Sequence, residues 1–553
     1  MTKIHKYRLV LIVSVVLGLL ASAAYEYLNT AQCQLSALFF VRAMLSSAVI
    51  GGGLCLTKRL LEKSKKENKL LKNKVINCLF GEKTPFYKQV LMVGGIILLL
   101  WIPYFIVSYP GNMSNDTTGQ IPMFFSIFDS EKSYPVMDQH PVFTTLVFGS
   151  IVYLGNLIFN NMHIALAICI FLQMVVTAIV CAFAIVWARR KWRTSLWFSF
   201  GLVGFLTLLP LMSLMVISLS KDTFFCWVFV LFMLALIELV RGDFLLLKSK
   251  KFLLLFTALC VGVCLTKKFG IYVVSGTLVL FVIFCGQKWQ MRARMAIPLA
   301  VSVGLMFVIM PFIIAKTSIV PSPTRELFSL QFQQVALTYL QHGDEMTESE
   351  LERLDKVLIL SSVEERYCPY NSDPIKGLAD ENLDAKDFIK LYVKLFFKFP
   401  DSYFNAFATQ VAGLFTPYRI EPIFDNHWHT WNQGYMDEGF FEKPEFSATQ
   451  SKNLKAYYDW FVGTPILNLS TFSITYVIFI PALFSICLIR RRRCNRELLI
   501  SVPILISLAG LLVSPIVYAG NEAMRYIMPF VYITPTLLAY SQYLLRRKKS
   551  VDS

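Results

Sequence analysis

Apolar runs of about 20 residues, many of them followed by a burst of Lys and Arg, recur along nearly the whole chain, and a run of that length matches the hydrocarbon thickness of a bilayer. Inside lipid each backbone N–H and C=O must find its partner within the segment, so an open chain can cross only as helices. Of the 553 residues 56% are hydrophobic and 16% charged, a balance that no soluble globular protein of this size needs. The chain is therefore expected to be mainly α: a polytopic α-helical membrane protein of about 12 transmembrane helices with an α-rich extracytoplasmic domain. The net charge of +17 does not argue for nucleic acid, because the positive residues sit in separate bursts rather than on one surface. The basic N-terminus and the run Leu9 to Leu28 resemble a signal peptide, but a second apolar run follows at once and no small-residue cleavage site stands out, so a retained helix is expected.

The basic bursts also set the expected topology, since they favour the cytoplasmic side. If Val142 to Phe159 crossed the membrane, Arg189 to Arg193 and each later basic loop would fall outside. If that stretch lies along the outer face instead, or dips in and returns, then Lys58 to Lys74, Arg189 to Arg193, Arg241 to Lys251, Lys288 to Arg294, Arg490 to Arg496 and Arg546 to Lys549 all fall inside. The second arrangement is expected, with both termini cytoplasmic in a plasma-membrane protein. It divides the chain into an N-terminal part (1–88) with two helices and a basic linker, a membrane module (89–315), an extracytoplasmic domain (316–465), and three C-terminal helices with a basic tail (466–553). Residues 316–462 hold 14 Lys and Arg against 22 Asp and Glu, and the rest of the chain carries a net +25. Within this acidic segment a helix is expected over Arg325 to Gln341, and Thr347 to Glu350 has capping-box spacing. Asp387 to Pro400 sets Lys390, Lys394 and Lys398 four apart among apolar residues, which suits either a helix on anionic headgroups or one docked on its own domain.

Candidate chemistry gathers in the loop 109–141, which leaves the third span and leads into the interfacial segment 142–160. Pro110-Gly111 forces a turn directly after the span, so Asp116 should sit at the water boundary, able to stay ionised and take a proton from a hydroxyl. Asp138 and His140 precede Pro141 and should face the same cavity, or else serve as capping groups at a helix start. Lys221-Asp222, Lys267-Lys268 and Arg525 lie in outer loops, against the positive-inside preference, and outer cations of this kind ask for an anionic partner such as a lipid phosphate. Nonspecific snorkelling to headgroups is the alternative. The stretch Asp425 to Tyr435 carries Trp428 and Trp431, whose rings suit a sugar face or an interfacial belt, and its HxH pattern is a weak metal signal. The 12 cysteines lie mostly within apolar runs, with Cys33 and Cys368 placed outside, so no disulfide framework is expected.

The segments PGNMSNDTTGQ, HPV, SKD, KKFGIYV, LQFQQVA followed by LTYL, YCPYNSDPIK and RYIMP resemble those of an uncharacterised bacterial family of polytopic membrane proteins that is itself similar to GT-C glycosyltransferases. The resemblance runs from Pro110 to Pro529. It implies transfer of a sugar from a polyprenyl-phosphate donor to an extracytoplasmic acceptor (a surface polymer, glycolipid or protein), with inversion at the anomeric carbon. It implies Asp116 as general base, with Asp222 as the alternative. Gln120, Asp138, His140, Trp428 and Trp431 would bind substrate, and Lys221, Lys267, Lys268 and Arg525 would neutralise the lipid phosphate. Asp116 lacks the adjacent second acid of the mannosyltransferase pattern, being flanked by Asn115 and Thr117. No cofactor is implied beyond the lipid-linked donor, with a divalent metal left open; membrane lipid is the expected partner and nucleic acid is not. A transporter or lipid flippase of envelope precursors is the competing class, although Glu26 and Glu238 lie near span ends and the helix centres carry almost no charge. A membrane-tethered binding domain is a third, for which so many spans are more than an anchor requires.

Overall fold

The computed structural model describes residues 3–63, 70–128, 134–284, 288–415, 448–489, 494–514 and 521–549. Among these, seven helices are long and apolar enough to cross a membrane, or nine if each of two bent pairs counts as one span. The chain is a multi-pass, mainly α protein.

Helices α1 (Lys3–Thr30) and α2 (Ala37–Glu62) form an N-terminal hairpin. Ser36 caps α2 by accepting from the Phe39 backbone N–H. Helix α3 (Phe86–Val107) leads into the short α4 (Asn115–Phe125), and α5 (Val142–Phe159) turns back through Asn160-Asn161 onto α6 (Met162–Lys191). The sequence reading laid Val142 to Phe159 along the membrane face or had it dip in and return. It folds as one continuous helix of 18 residues, itself among the seven of crossing length.

Proline accounts for the broken helices. Pro210 disfavours helical geometry at Leu209, whose ψ is 115°, and splits one apolar run into α7 (Leu196–Leu208) and α8 (Pro210–Ile217), bent by 58°. Having no N–H, Pro210 also leaves the Leu206 carbonyl without its helical donor, and the fully buried Trp101 fills the gap by donating Nε1–H at 3.0 Å. Elsewhere the π-helical turns Leu305–Ile309 and Thr475–Phe479 each precede a proline, Pro311 and Pro481. There the ring would clash with the carbonyl one turn back, and the wider turn relieves it.

The membrane body continues through α9 (Lys221–Arg241), α10 (Lys250–Thr266), α11 (Gly270–Phe284), α12 (Trp289–Gly304) and α13 (Met310–Lys316). After an intervening domain come α18 (Ile480–Ile489), α19 (Val502–Val513) and the closing α20 (Asn521–Lys549). Between them α14 (Ser329–His342), α15 (Glu348–Asp355), α16 (Ala385–Lys398) and α17 (Pro400–Phe415) enclose a separate core around Phe332, Leu354, Phe388, Leu391 and Tyr403. The expected helix from Arg325 begins later, at Ser329, after a 3₁₀ turn at Thr324–Leu327. The capping box at Thr347 and Glu350 is present in both directions. Lys394 and Lys398 grip Glu350 at 2.8 and 3.1 Å, so that edge of the lysine stripe is docked on its own domain.

Candidate functional site

The segment after α3 is placed by backbone pairing that no helical pattern announces. Asn112–Met113 (β1) pairs in parallel with Ser218–Leu219 (β2), the link between α8 and α9, and the Ser114 N–H donates to the Leu219 carbonyl at 3.1 Å. Gly111 makes this approach possible: its φ is +106°, and a Cβ there would lie 2.4 Å from Ile170 Cδ1 and 2.9 Å from the Ile217 carbonyl. From α6, Gln173 holds the other strand. Its Nε2 donates to the carbonyls of Val216 and Ser218 at 3.1 and 2.8 Å, and its Oε1 accepts from the Ser220 N–H at 3.4 Å.

Two helices start from this junction, the short α4 and the long α9. Ser114 stands at the start of α4 with Asp116 in its first turn, and Ser220 caps α9 by accepting from the Asp222 N–H at 3.2 Å. Parallel strands bring the two helix starts to the same end, so Asp116 meets Lys221. Arg525, in the first residues of α20, reaches the same carboxylate oxygen at 2.9 Å. His140 Nδ1 lies 2.9 Å from Lys221 Nζ and 4.0 Å from Asp116 Oδ2. Because the ammonium can only donate, Nδ1 accepts and the imidazole proton belongs on Nε2.

Flanking pairs extend the cluster. Lys267 Nζ is 2.6 Å from Asp222 Oδ1, and Lys268 Nζ is 3.0 Å from Asp138 Oδ2. Tyr526 offers its ring to two cations, with Lys267 Nζ 5.9 Å and Arg525 Cζ 5.7 Å from the centroid. The far end of the loop is stitched to the start of the following domain, where Asp138 N–H donates to the Val320 carbonyl and Val320 N–H to that of Val136, both at 2.8 Å. Beside the Lys268–Asp138 pair opens a cavity of about 170 Å³ with Val142, Phe143, Leu265, Met306 and Met310 among its walls.

The electrostatics follow from this crowding. Burial alone would raise the Asp116 carboxyl, but Lys221 and Arg525 outweigh it and hold the group well below the usual carboxylate range. Burial and Lys221 together push the His140 imidazole down to about 4, against the opposing pull of Asp116. At neutral pH the cluster is thus an ionised carboxylate between two cations, with a neutral imidazole beside them.

Asp116, His140, Lys221 and Arg525 come together in one cluster, with Asp222, Lys267, Asp138 and Lys268 around it. Two further findings concern individual residues. Gln120, expected to bind substrate, is fully buried and donates from Nε2 to Thr144 and Thr145, both at 2.9 Å, so it clamps α4 to α5. The four cations, expected to neutralise a lipid phosphate, are each paired with a carboxylate. Trp428 and Trp431, with the surrounding stretch Asp425 to Tyr435, lie outside the described residues. Gln173 and Tyr526 were missed by sequence reading; a lone amide within an apolar run was the available signal for the first, and adjacency to Arg525 for the second. Among the described residues no group of three or more His, Cys, Asp and Glu side chains could hold a metal ion.

A family model described as "Family of unknown function (DUF6020)" matches residues 8–551, and the chain belongs to that family. No curated protein and no solved structure matches it.

Proposed function

We propose that this member of the DUF6020 family is an integral-membrane glycosyltransferase of GT-C type. It would take a sugar from a polyprenyl-phosphate donor and pass it to an acceptor on the extracytoplasmic side. The proposed setting is a plasma-membrane protein of about 12 spans with both termini cytoplasmic, the arrangement that keeps the basic loops inside. One observation carries the reading: Asp116, Lys221, His140 and Arg525, drawn from three distant stretches of chain, share one site at the ends of apolar helices. Such a site suits a donor whose tail stays in lipid while its phosphate and sugar reach water. The apolar cavity beside Lys268 supports the same reading, offering a wall for a prenyl segment next to a cation.

The pairing of Asp116 with two cations suggests how the reaction would be timed. A carboxylate held this far down is a weak base. When a donor phosphate arrives, Lys221 and Arg525 can exchange carboxylate for phosphate, and the freed Asp116 regains basicity. The acceptor oxygen then attacks the anomeric carbon as its proton passes to Asp116. The bond from that carbon to the phosphate oxygen breaks with its electron pair, and the leaving polyprenyl phosphate stays neutralised by the same cations. Attack from the face opposite the phosphate inverts the centre.

The test is transfer by the full-length protein in vesicles loaded with a panel of polyprenyl-phosphate hexoses and pentoses, followed as release of polyprenyl phosphate. Asp116→Asn is expected to abolish release while the protein still elutes as a folded species in gel filtration. Wild-type rates in that variant would remove Asp116 from the chemistry.

A further inference from the structure

Helix α16 covers its domain with one face only. Phe388, Leu391 and Leu395 enter the core, and the edge with Lys394 and Lys398 is pinned to Glu350. On the opposite edge Ile389, Val393 and Phe397 recur every fourth residue and stand 47%, 44% and 78% exposed. Phe396 carries this ridge across to α17 through its contact with Phe404, 6.3 Å between centroids, and Phe404 is itself 62% exposed. Lys386 and Lys390, both exposed, belong to the same row as Lys394 and Lys398 and border the ridge on the side toward that pinned edge.

The position of α17 says what covers this ridge. The residue after Phe404 is Asn405, whose Oδ1 accepts from Tyr27 at the end of the apolar span α1. Ala412 of α17 packs with Ala24 and Leu28 of α1, and the Tyr370 hydroxyl donates to the Leu28 carbonyl at 2.8 Å. The apolar ridge therefore stands beside the end of a helix whose own apolar stretch stops there, at the level where hydrocarbon gives way to headgroups. We infer that the ridge Ile389, Val393, Phe397 and Phe404 rests in the headgroup layer beside α1, with Lys386 and Lys390 on lipid phosphates, so that the intervening domain binds an anionic lipid surface. A face of this composition, apolar with lysines along one border, is how a helix lies in a membrane interface. The contact would hold the domain at a set tilt over the Asp116 cluster.

The experiment uses the full-length protein in nanodiscs, with a benzophenone-bearing phenylalanine analogue in place of Phe397 and, as control, in place of the exposed Glu352 on α15. Irradiation is followed by mass analysis of adducts. Phospholipid adducts are expected from position 397 at several times the level from position 352. They should rise with the fraction of phosphatidylglycerol, and Lys390→Gln should lower them roughly fivefold, the value of one lysine near an anionic surface. Equal lipid adducts at the two positions, or adducts at 397 only with protein, would overturn the inference, the second outcome assigning the ridge to a protein partner. Gel filtration of both labelled proteins establishes that the comparison is between folded species.

Discussion

Arg525 Nη1 stands 2.9 Å from Asp116 Oδ2, a contact between α20, the last of the described helices, and the first turn of α4. Lys221 shares the same oxygen, so one carboxylate balances two cations in a site largely shielded from water. Asp116→Ala leaves the cations facing each other and is expected to cost about 3–5 kcal/mol, the scale of an uncompensated buried charge. Arg525→Ala should cost less, because Lys221 still balances Asp116, and the double variant should recover part of the loss. Thermal unfolding in detergent checks the cycle, and strict additivity would show that the two residues are not coupled.

His140 sets a pH dependence whose sign follows from its lowered value. Between about 4 and the ordinary 6.5 the unfolded chain binds a proton that the folded site refuses, so stability is fully present above that window and falls as pH drops through it. The loss amounts to roughly 3 kcal/mol at most. His140→Asn should flatten the Tm profile across that range; an unchanged slope would mean that the imidazole is not buried beside Lys221.

Gln173 serves three backbone groups, the carbonyls of Val216 and Ser218 and the N–H of Ser220. Gln173→Leu keeps most of the volume and removes all three bonds. A loss of about 2–4 kcal/mol is expected, together with faster hydrogen exchange at Ser220. A Tm within a degree of wild type would contradict this role.

Gly111→Ala meets two obstacles, a positive φ and the side chain of Ile170 2.4 Å from the new Cβ. The strain is expected to cost roughly 1–3 kcal/mol and to loosen the β1–β2 pairing, displacing Asp116 from Lys221. Pairing Gly111→Ala with Ile170→Val opens space but leaves φ unchanged, so rescue should be partial. Full rescue would assign the whole effect to the clash.

Glu350 links the α15 capping box to two lysines of α16. Although burial raises its carboxyl, Lys394, the Thr347 N–H and Lys398 bring it down to about 2. Its contribution is therefore present above the ordinary carboxylate value of about 4.3 and is lost as pH falls toward 2. Glu350→Gln should destabilise the domain by about 1–2 kcal/mol at neutral pH, less than a fully buried pair because both lysines reach solvent. Limited proteolysis between residues 329 and 415 reads the effect, and equal cleavage of variant and wild type would argue against it.

Much of the site was legible because its residues are chemically out of place: acids and lysines at the ends of apolar runs stand out whatever the fold. Their roles were harder to read. Gln120 sits one turn beyond Asp116 and looks like a site residue, yet that turn points it at Thr144 and Thr145. Trp101 looks like an interfacial aromatic, and its task is to serve a carbonyl left open by Pro210, a partner from another helix.

What the order of amino acids determined alone is whatever depends on neighbours along the chain: apolar runs of bilayer length, breaks at Pro210, Pro311 and Pro481, the caps at Ser36 and Thr347, and the turn at Gly111. What only the tertiary structure decided is how the charges are shared. Whether Lys221 is free or bound to Asp116, and whether Arg525 joins them, depends on a two-residue parallel pairing and a three-way amide clamp that bring remote segments within hydrogen-bond reach. Coulomb energy falls with distance and rises with burial, and neither is written in a linear string.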